Sequence, residues 1–190
     1  MTPNNPNQNI GVNTSPVGVM MAEDLVIDAM TTNDLPSVCE MVRRGIGSYE
    51  EAGNVLASTF RRLDKFGPIY ESEGSIYFVA RDRRNPNLIL GGAGIGPLHG
   101  LSPLECLGEI RDLVVNPDSR GNGIGARLLK RCLDEAKMLG YQRIYLETTS
   151  QMEQARKLFI RNGFRAVTTG ASKSGPSDSM PCYYLLESLS

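Results

Sequence analysis

Arg120-Gly121-Asn122-Gly123-Ile124-Gly125 places three glycines at alternate positions, between a β-branched run ending at Val115 and a stretch of helical spacing that opens at Ile124. Glycines so spaced let the main chain pass very close to a ligand with its amides facing outward. The helix that begins there adds its own unpaired N–H groups and the positive end of its dipole. The chemistry this favours is anion binding, with phosphate first among the anions. A second set of residues could move protons. Glu109 lies on the strand ahead of the loop and Tyr183 and Tyr184 sit near the C-terminus, while Glu147, at the end of the following strand, could bind substrate instead. A carboxylate beside a bound reactant can take a proton from an attacking group, and a tyrosine can return one to a leaving group.

Three kinds of phosphate site compete for the glycine loop. A Walker loop needs a lysine and a Ser or Thr after its last glycine, but Gly125 is followed by Ala126-Arg127. A dinucleotide fingerprint fits Gly121, Gly123 and Ala126, with Glu147 about 20 residues further on as a ribose ligand. Against it, Asn116-Pro117-Asp118-Ser119-Arg120 separates the strand from the first glycine, and too little chain follows to complete a doubly wound sheet. The third kind binds an acyl-CoA. Arg120 to Gly125 matches the pattern [R/Q]-x-x-G-x-[G/A], flanked by Leu113-x-Val115-x-Pro117 and Ala126-Arg127-Leu128-Leu129. Downstream, Ala155-Arg156-Lys157-Leu158-Phe159-Ile160-Arg161-Asn162-Gly163-Phe164 matches A-x-x-L-[Y/F]-x-x-x-G-F. With two motifs in order, the chain resembles the GNAT superfamily of acyl-CoA-dependent N-acetyltransferases, over about residues 23 to 190 and most strongly from Glu109 to Phe164.

That resemblance implies an α/β chain with the GNAT fold, a mixed central sheet of about seven strands flanked by about four helices. It implies acetyl-CoA as the acyl-donor cosubstrate and the primary amine of a small molecule or peptide as acceptor. The pantetheine arm would lie along Leu113, Val114 and Val115, and the pyrophosphate on the amides of Arg120, Gly121, Asn122, Gly123, Ile124, Gly125 and Ala126. Arg43, Arg44 and Tyr49 to Glu51 would line the acceptor cleft, and a homodimer is the assembly many relatives form.

The proton-moving groups follow less directly. Alternation puts Glu109, Arg111, Leu113 and Val115 on one face of the strand and Asp112 on the other. Glu109 is the candidate general base, and a structural ion pair with Arg111 is the competing role. The tyrosine that GNAT enzymes commonly carry in the second motif is Phe159 here, and Met152 stands where many members have an asparagine. Tyr183 is the candidate proton donor, with Tyr184, water, or departure as the bare thiolate left open. A CoA thiol resembles a cysteine thiol, whose pKa is about 8.5. Phe159 also motivates the competing class, a non-catalytic acyl-CoA-binding or regulatory module.

Composition sets the outer bounds. The 190 residues suit one domain with a substantial core. A formal net charge of −1 gives no electrostatic case for nucleic acid, and no apolar run approaches the ~20 residues that span a membrane. No signal peptide is visible. Cys39, Cys106, Cys132 and Cys182 are scattered, with no C-x-x-C and one histidine, His99, so no metal site is expected and the thiols suit a reducing cytoplasm.

The elements that must position these residues read in order from hydrophobic periodicity. Residues 1–22, rich in Asn and Pro, read as a disordered tail ahead of a domain over 23–190. A strand at 24–29 precedes a helix with Leu35, Val38, Met41 and Val42 on one face, interrupted at Gly45 and Gly47. A second helix runs about Val55 to Phe66 and ends at Gly67-Pro68. Ser75 to Arg81 and Leu88 to Gly96 form a hairpin around Asp82–Pro86, and Cys106 to Asn116 is the central strand. The next helix buries Ile124, Leu128, Cys132, Ala136 and Leu139 and exposes Arg127, Lys130, Arg131, Asp134 and Lys137. Strands at 143–148, 164–169 and 182–187 and a helix from Met152 to Asn162-Gly163 complete the pattern.

Overall fold

The computed structural model describes residues 24–47, 61–101, 103–167 and 181–189. The tail over 1–22, the acceptor-cleft residues Tyr49 to Glu51 and the first half of the expected second helix lie outside the described residues.

Seven strands form one sheet in the order β1-β2-β3-β4-β5-β7-β6. They are β1 (Leu25–Ala29), β2 (Ile76–Asp82), β3 (Asn85–Pro97), β4 (Leu107–Val115), β5 (Arg143–Thr149), β6 (Arg165–Val167) and β7 (Pro181–Leu186). All neighbouring pairs are antiparallel except β4 and β5. One face is covered by α1 (Leu35–Gly47) and the short α2 (Phe66–Tyr70), the other by α3 (Ile124–Met138) and α4 (Glu153–Arg161). Each face buries its own apolar cluster. Val38, Val42, Phe66 and Tyr77 pack on the α1 side, and Ile110, Leu128, Ile144 and Phe159 on the α3 side.

α1 begins where its sequence provides a cap. The Thr31 N–H and Oγ1 both donate to Asp34 Oδ2, at 2.8 and 2.7 Å, and Arg81 from β2 grips the same carboxylate at 3.0 and 3.1 Å. The helix then runs through Gly45 rather than stopping there, and is described as far as Gly47. The reason is a close approach: a Cβ at Gly45 would overlap the Val114 side chain of β4. Glycine is placed there for packing, at a modest cost in helix propensity. Likewise α2 spans Gly67-Pro68 rather than ending at them, with proline in its first turn, where a missing N–H costs nothing.

α3 shows two departures from the periodicity. Leu139 is exposed at its end and Leu129 is buried instead. Arg131 is half-buried, its guanidinium 4.1 Å above the Phe78 ring and its Nη1 2.7 Å from Glu135 Oε2. A long cationic side chain can lay its stem along apolar surface, so a charged residue does not by itself mark a solvent face. β6 begins at Arg165 and is described as far as Val167.

β4 departs most from regular geometry. Gly92 of β3 pairs with Val114, but Gly94 pairs with Arg111, so β4 carries one extra residue across that interval. Asp112 has φ +53° at this bulge. A bulge inverts the alternation beyond it. Arg111 and Asp112 therefore both face α2, while Leu113 and Val115 pack on the α3 side. This corrects the face assignment made from alternation: Glu109 and Arg111 do not share a face with Leu113 and Val115, and Asp112 lies beside them rather than opposite.

Candidate functional site

Beyond the bulge β4 and β5 part. Their parallel pairing runs from Leu107–Arg143 to Ile110–Leu146, and no partner across β5 is recorded for Leu113, Val114 or Val115. Parallel strands share one twist, so losing the ladder opens a wedge whose wall is the free edge of β4. A cleft of ≈ 620 Å³ lies there. It is bounded by Leu113 to Val115, the glycine loop, the start of α3, and Met152, Ala155, Leu158 and Arg161 beside or on α4.

The loop enters this cleft for sequence reasons. Asn116 Oδ1 accepts from the Asp118 N–H, and Pro117 opens a single 3₁₀ turn that ends the strand. Gly121 and Gly123 have φ +84° and +73°, conformations that a side chain strains. Nothing lies within 4 Å of where their Cβ atoms would stand, so the glycines meet a backbone need and face open space. Gly123 is the N-cap of α3. The amides of Ile124, Gly125 and Ala126 thus begin a 15-residue helix with no acceptors of their own. Gly125 differs. It lies in the helix, and a Cβ there would rest 3.6 Å from Val115 and Leu158 on the cleft wall.

Nine of the ten residues expected to hold a cofactor border the cleft: Leu113, Val114, Val115, Arg120, Gly121, Gly123, Ile124, Gly125 and Ala126. Asn122 turns its amide to Ser119 O, at 3.2 Å, and braces the turn. Arg120 also acts as a brace. Its N–H donates to Pro117 O, its Nε to Val115 O at 3.3 Å and its Nη2 to Gly45 O at 3.1 Å. The outward amides of the loop therefore begin at Gly121. Lys157 and Arg161 add positive charge at the α4 wall, where motif spacing alone had not placed it.

The candidate proton carriers lie apart from the loop. Register places Glu109 beside Tyr145, and Glu147 opposite Tyr183, all on the α1 face of the sheet. The Tyr145 and Tyr183 rings stack with centroids 6.2 Å apart. Burial pushes the Glu109 carboxyl above the usual range, with Arg111 and Arg62 pulling against it, and the His99 main-chain N–H donates to it. Burial and the nearby Glu109 charge also raise Glu147. Arg111 Nη1 stands 3.7 Å from Glu109 Oε2.

Tyr184 faces the opposite way, buried against Phe159, with its hydroxyl accepting from Arg156 Nε at 3.2 Å. Phe159 itself packs into the core against Phe164. No Tyr, His or Cys is among the described residues lining the cleft. Arg44 is exposed and pairs with Asp118 at 3.4 Å.

An open strand edge, a glycine-capped helix start and a cleft between them are the features that the resemblance to acyl-CoA-dependent acetyltransferases leads one to expect. Residues 43–164 match the acetyltransferase (GNAT) family, and the chain belongs to that family. It is similar to YjgM, an uncharacterised N-acetyltransferase of Escherichia coli (strain K12), at 27% identity over 156 residues, covering 80% of this chain and 89% of the relative. Among solved structures it is similar to an acetyltransferase of the GNAT family from Staphylococcus aureus Mu50, with TM-score 0.68 and 19% identity over 87% of this chain and 99% of that one. It is equally similar to yncA of Salmonella typhimurium, solved with its cofactor acetyl-CoA, with TM-score 0.68 and 19% identity over 86% of this chain and 94% of that one. The chain is an acyltransferase with acetyl-CoA as its acyl donor, and the dinucleotide reading of the loop falls. No helix among the described residues is long and apolar enough to cross a membrane.

Proposed function

We propose that this protein transfers the acetyl group of acetyl-CoA to the primary amine of a small acceptor by direct attack on the thioester. The carrying observation is the parting of β4 from β5 above Ile110, which leaves the β4 edge open beside a glycine-capped helix start. Main-chain groups of Leu113, Val114 and Val115 would take the pantetheine amides as an added strand does. Amides of Gly121 to Ala126 would take the pyrophosphate, with Lys157 and Arg161 completing the charge balance.

When bound, acetyl-CoA supplies the activated acyl carbon, and positioning rather than covalent catalysis is then the protein's main contribution. Glu109 would take the proton from the acceptor ammonium. Its pKa, raised chiefly by burial, makes it a stronger base than a free carboxylate. The amine nitrogen then forms its bond to the acyl carbon as the carbon–sulfur bond breaks, the electron pair leaves on sulfur, and the nitrogen gives up its second proton to solvent. Tyr183, which shares the Glu109 face of the sheet with Tyr145, is the proposed donor to that sulfur. If Tyr183→Phe leaves kcat unchanged, the thiolate departs unprotonated.

The four cysteines are thiols without disulfides, which supports a cytoplasmic setting. Calorimetry of acetyl-CoA on the intact protein and on Gly123→Asp tests the donor site, with an amine panel against Glu109→Gln for the chemistry. Micromolar binding lost in Gly123→Asp supports the site. Equal binding by both proteins overturns it.

A further inference from the structure

Arg111 is nine-tenths buried, yet none of its contacts is short. Its side chain is 10% exposed, with Nη2 3.5 Å from Pro97 O, Nη1 3.7 Å from Glu109 and the guanidinium carbon 5.8 Å from the Tyr70 ring centroid. Its Nε is buried with no hydrogen-bond partner among the described residues. A guanidinium carries five donors, and burying them half-used is costly unless something else takes them. The fold makes room for it deliberately: a Cβ at Gly96 of β3 would run into the Arg111 Nη2.

The guanidinium lines a hollow of ≈ 360 Å³ between α2, the turn that follows it and the 97–101 loop. Lys65, His99, Ser72 and Ser75 supply its other polar groups, and no Asp or Glu is among the described residues that line it. Of the acids next in sequence to its lining residues, Asp64, Glu71 and Glu73 are exposed, and the Asp112 carboxylate is taken by Arg62 and Tyr70. The hollow is thus basic and rich in donors, and it lies outside the acyl-CoA cleft. It is joined to the proposed base through Arg111, whose other edge faces Glu109.

We infer that Arg111, with Lys65 at the rim, binds an acidic group of the acceptor. The acceptor is then an amino acid or close analogue: a primary amine with a carboxylate or phosphonate within a few bonds. Glu109 would meet the ammonium and Arg111 the acid, so one small zwitterion satisfies both side chains. A planar guanidinium suits two-pronged contact with such an oxyanion. This assignment rests on the reading of Glu109 as the base.

The test uses matched amines on the full chain: glycine against glycinamide, phenylalanine against phenylethylamine, and aminomethylphosphonate beside them. Two readouts are taken, acetyl transfer and the shift in melting temperature produced by each amine alone. The expected result is a kcat/KM about a hundredfold or more higher for the acids than for their neutral partners, because a site built to bond a group rejects the analogue that lacks it. Arg111→Gln should erase that preference through KM and leave acetyl-CoA affinity unchanged. Arg111→Lys should restore part of it, and Lys65→Gln provides a second, exposed variant. The ratio of carboxylate to phosphonate turnover tells the two acids apart. Equal handling of acids and amides, or a preference that survives Arg111→Gln, overturns the proposal. If acids raise the melting temperature while acetyl-CoA does not bind, the transfer reading falls and the anion site stands. If no amine turns over and none raises the melting temperature, the anion site falls.

Discussion

Arg62 closes on Asp112 across 50 residues of chain, Nη2 to Oδ1 at 2.6 Å, at the bulge where β4 leaves β5. Tyr70 donates to the other carboxylate oxygen at 2.7 Å, and Tyr77 donates to the Asp112 carbonyl at 3.2 Å. The Asp112 side chain is fully buried. Three partners from three segments thus hold one residue in a left-handed conformation that most side chains resist. The bulge they fix lies where the β4 edge becomes free, the edge on which the proposed donor site depends.

Removing one member of such a pair leaves an uncompensated charge. Asp112→Ala should cost about 3–5 kcal/mol, read as a lower denaturation midpoint. Asp112→Asn tolerates the positive φ and keeps the volume, so it should cost less. Acetyl-CoA affinity should fall in both, because the edge it needs loses its anchor. Unchanged stability in Asp112→Ala would show that the network does not hold the bulge.

Gly123 and Gly125 should separate loop strain from cleft volume. Gly123→Ala forces a Cβ onto φ +73° in open space, at roughly 1–2 kcal/mol. Gly125→Ala meets only ordinary contacts and should stabilise α3 by about 0.5–1 kcal/mol. Its methyl group projects onto the cleft wall, so acetyl-CoA should bind more weakly to a more stable protein. Thermal melting and calorimetry on the two variants read both effects.

Glu109 should show itself in pH dependence twice. Its carboxyl is held above the usual range, chiefly by burial. As a base it must be deprotonated, so kcat/KM should rise with pH through that raised value, and Glu109→Gln should lose the limb. Stability runs the other way. A raised carboxylate favours the folded state fully below its unfolded pKa, near 4.3, and loses that contribution as pH rises through the folded value. Glu109→Gln should therefore gain stability relative to wild type at pH 7, and the gain should vanish in acid.

Asp34 has the opposite sign. The Arg81 hydrogen bonds pull its carboxyl down to about 2. The stability this provides, about 2 kcal/mol, is present above the unfolded value and fades as pH falls toward that figure. Asp34→Asn should match wild type in its acid limb and be less stable at pH 7, in denaturant titrations at both pH values.

Much of the fold was legible because its signals are local. The glycine loop, the Asn116-Pro117 stop and the apolar stripe of α3 each follow from residues within a few turns of one another. The loop stands against the cleft because strand, turn and helix are consecutive in the chain. Arg131 and Leu139 were misread because side-chain length and helix ends override periodicity. Gly45 was misread because its reason is a neighbour in β4.

The sequence by itself determined the glycine-capped helix start, the order of strands and helices and the candidate carboxylate on β4. The tertiary structure alone decided which way those side chains face. Alternation presumes an unbroken pleat, and the one extra residue at Asp112 inverts it, turning Arg111 and Asp112 to the same side and Leu113 and Val115 to the other. Arg62, Tyr70 and Tyr77, which hold that inversion, come from distant segments. Their meeting depends on how α2 and the sheet pack, and no local pattern encodes it.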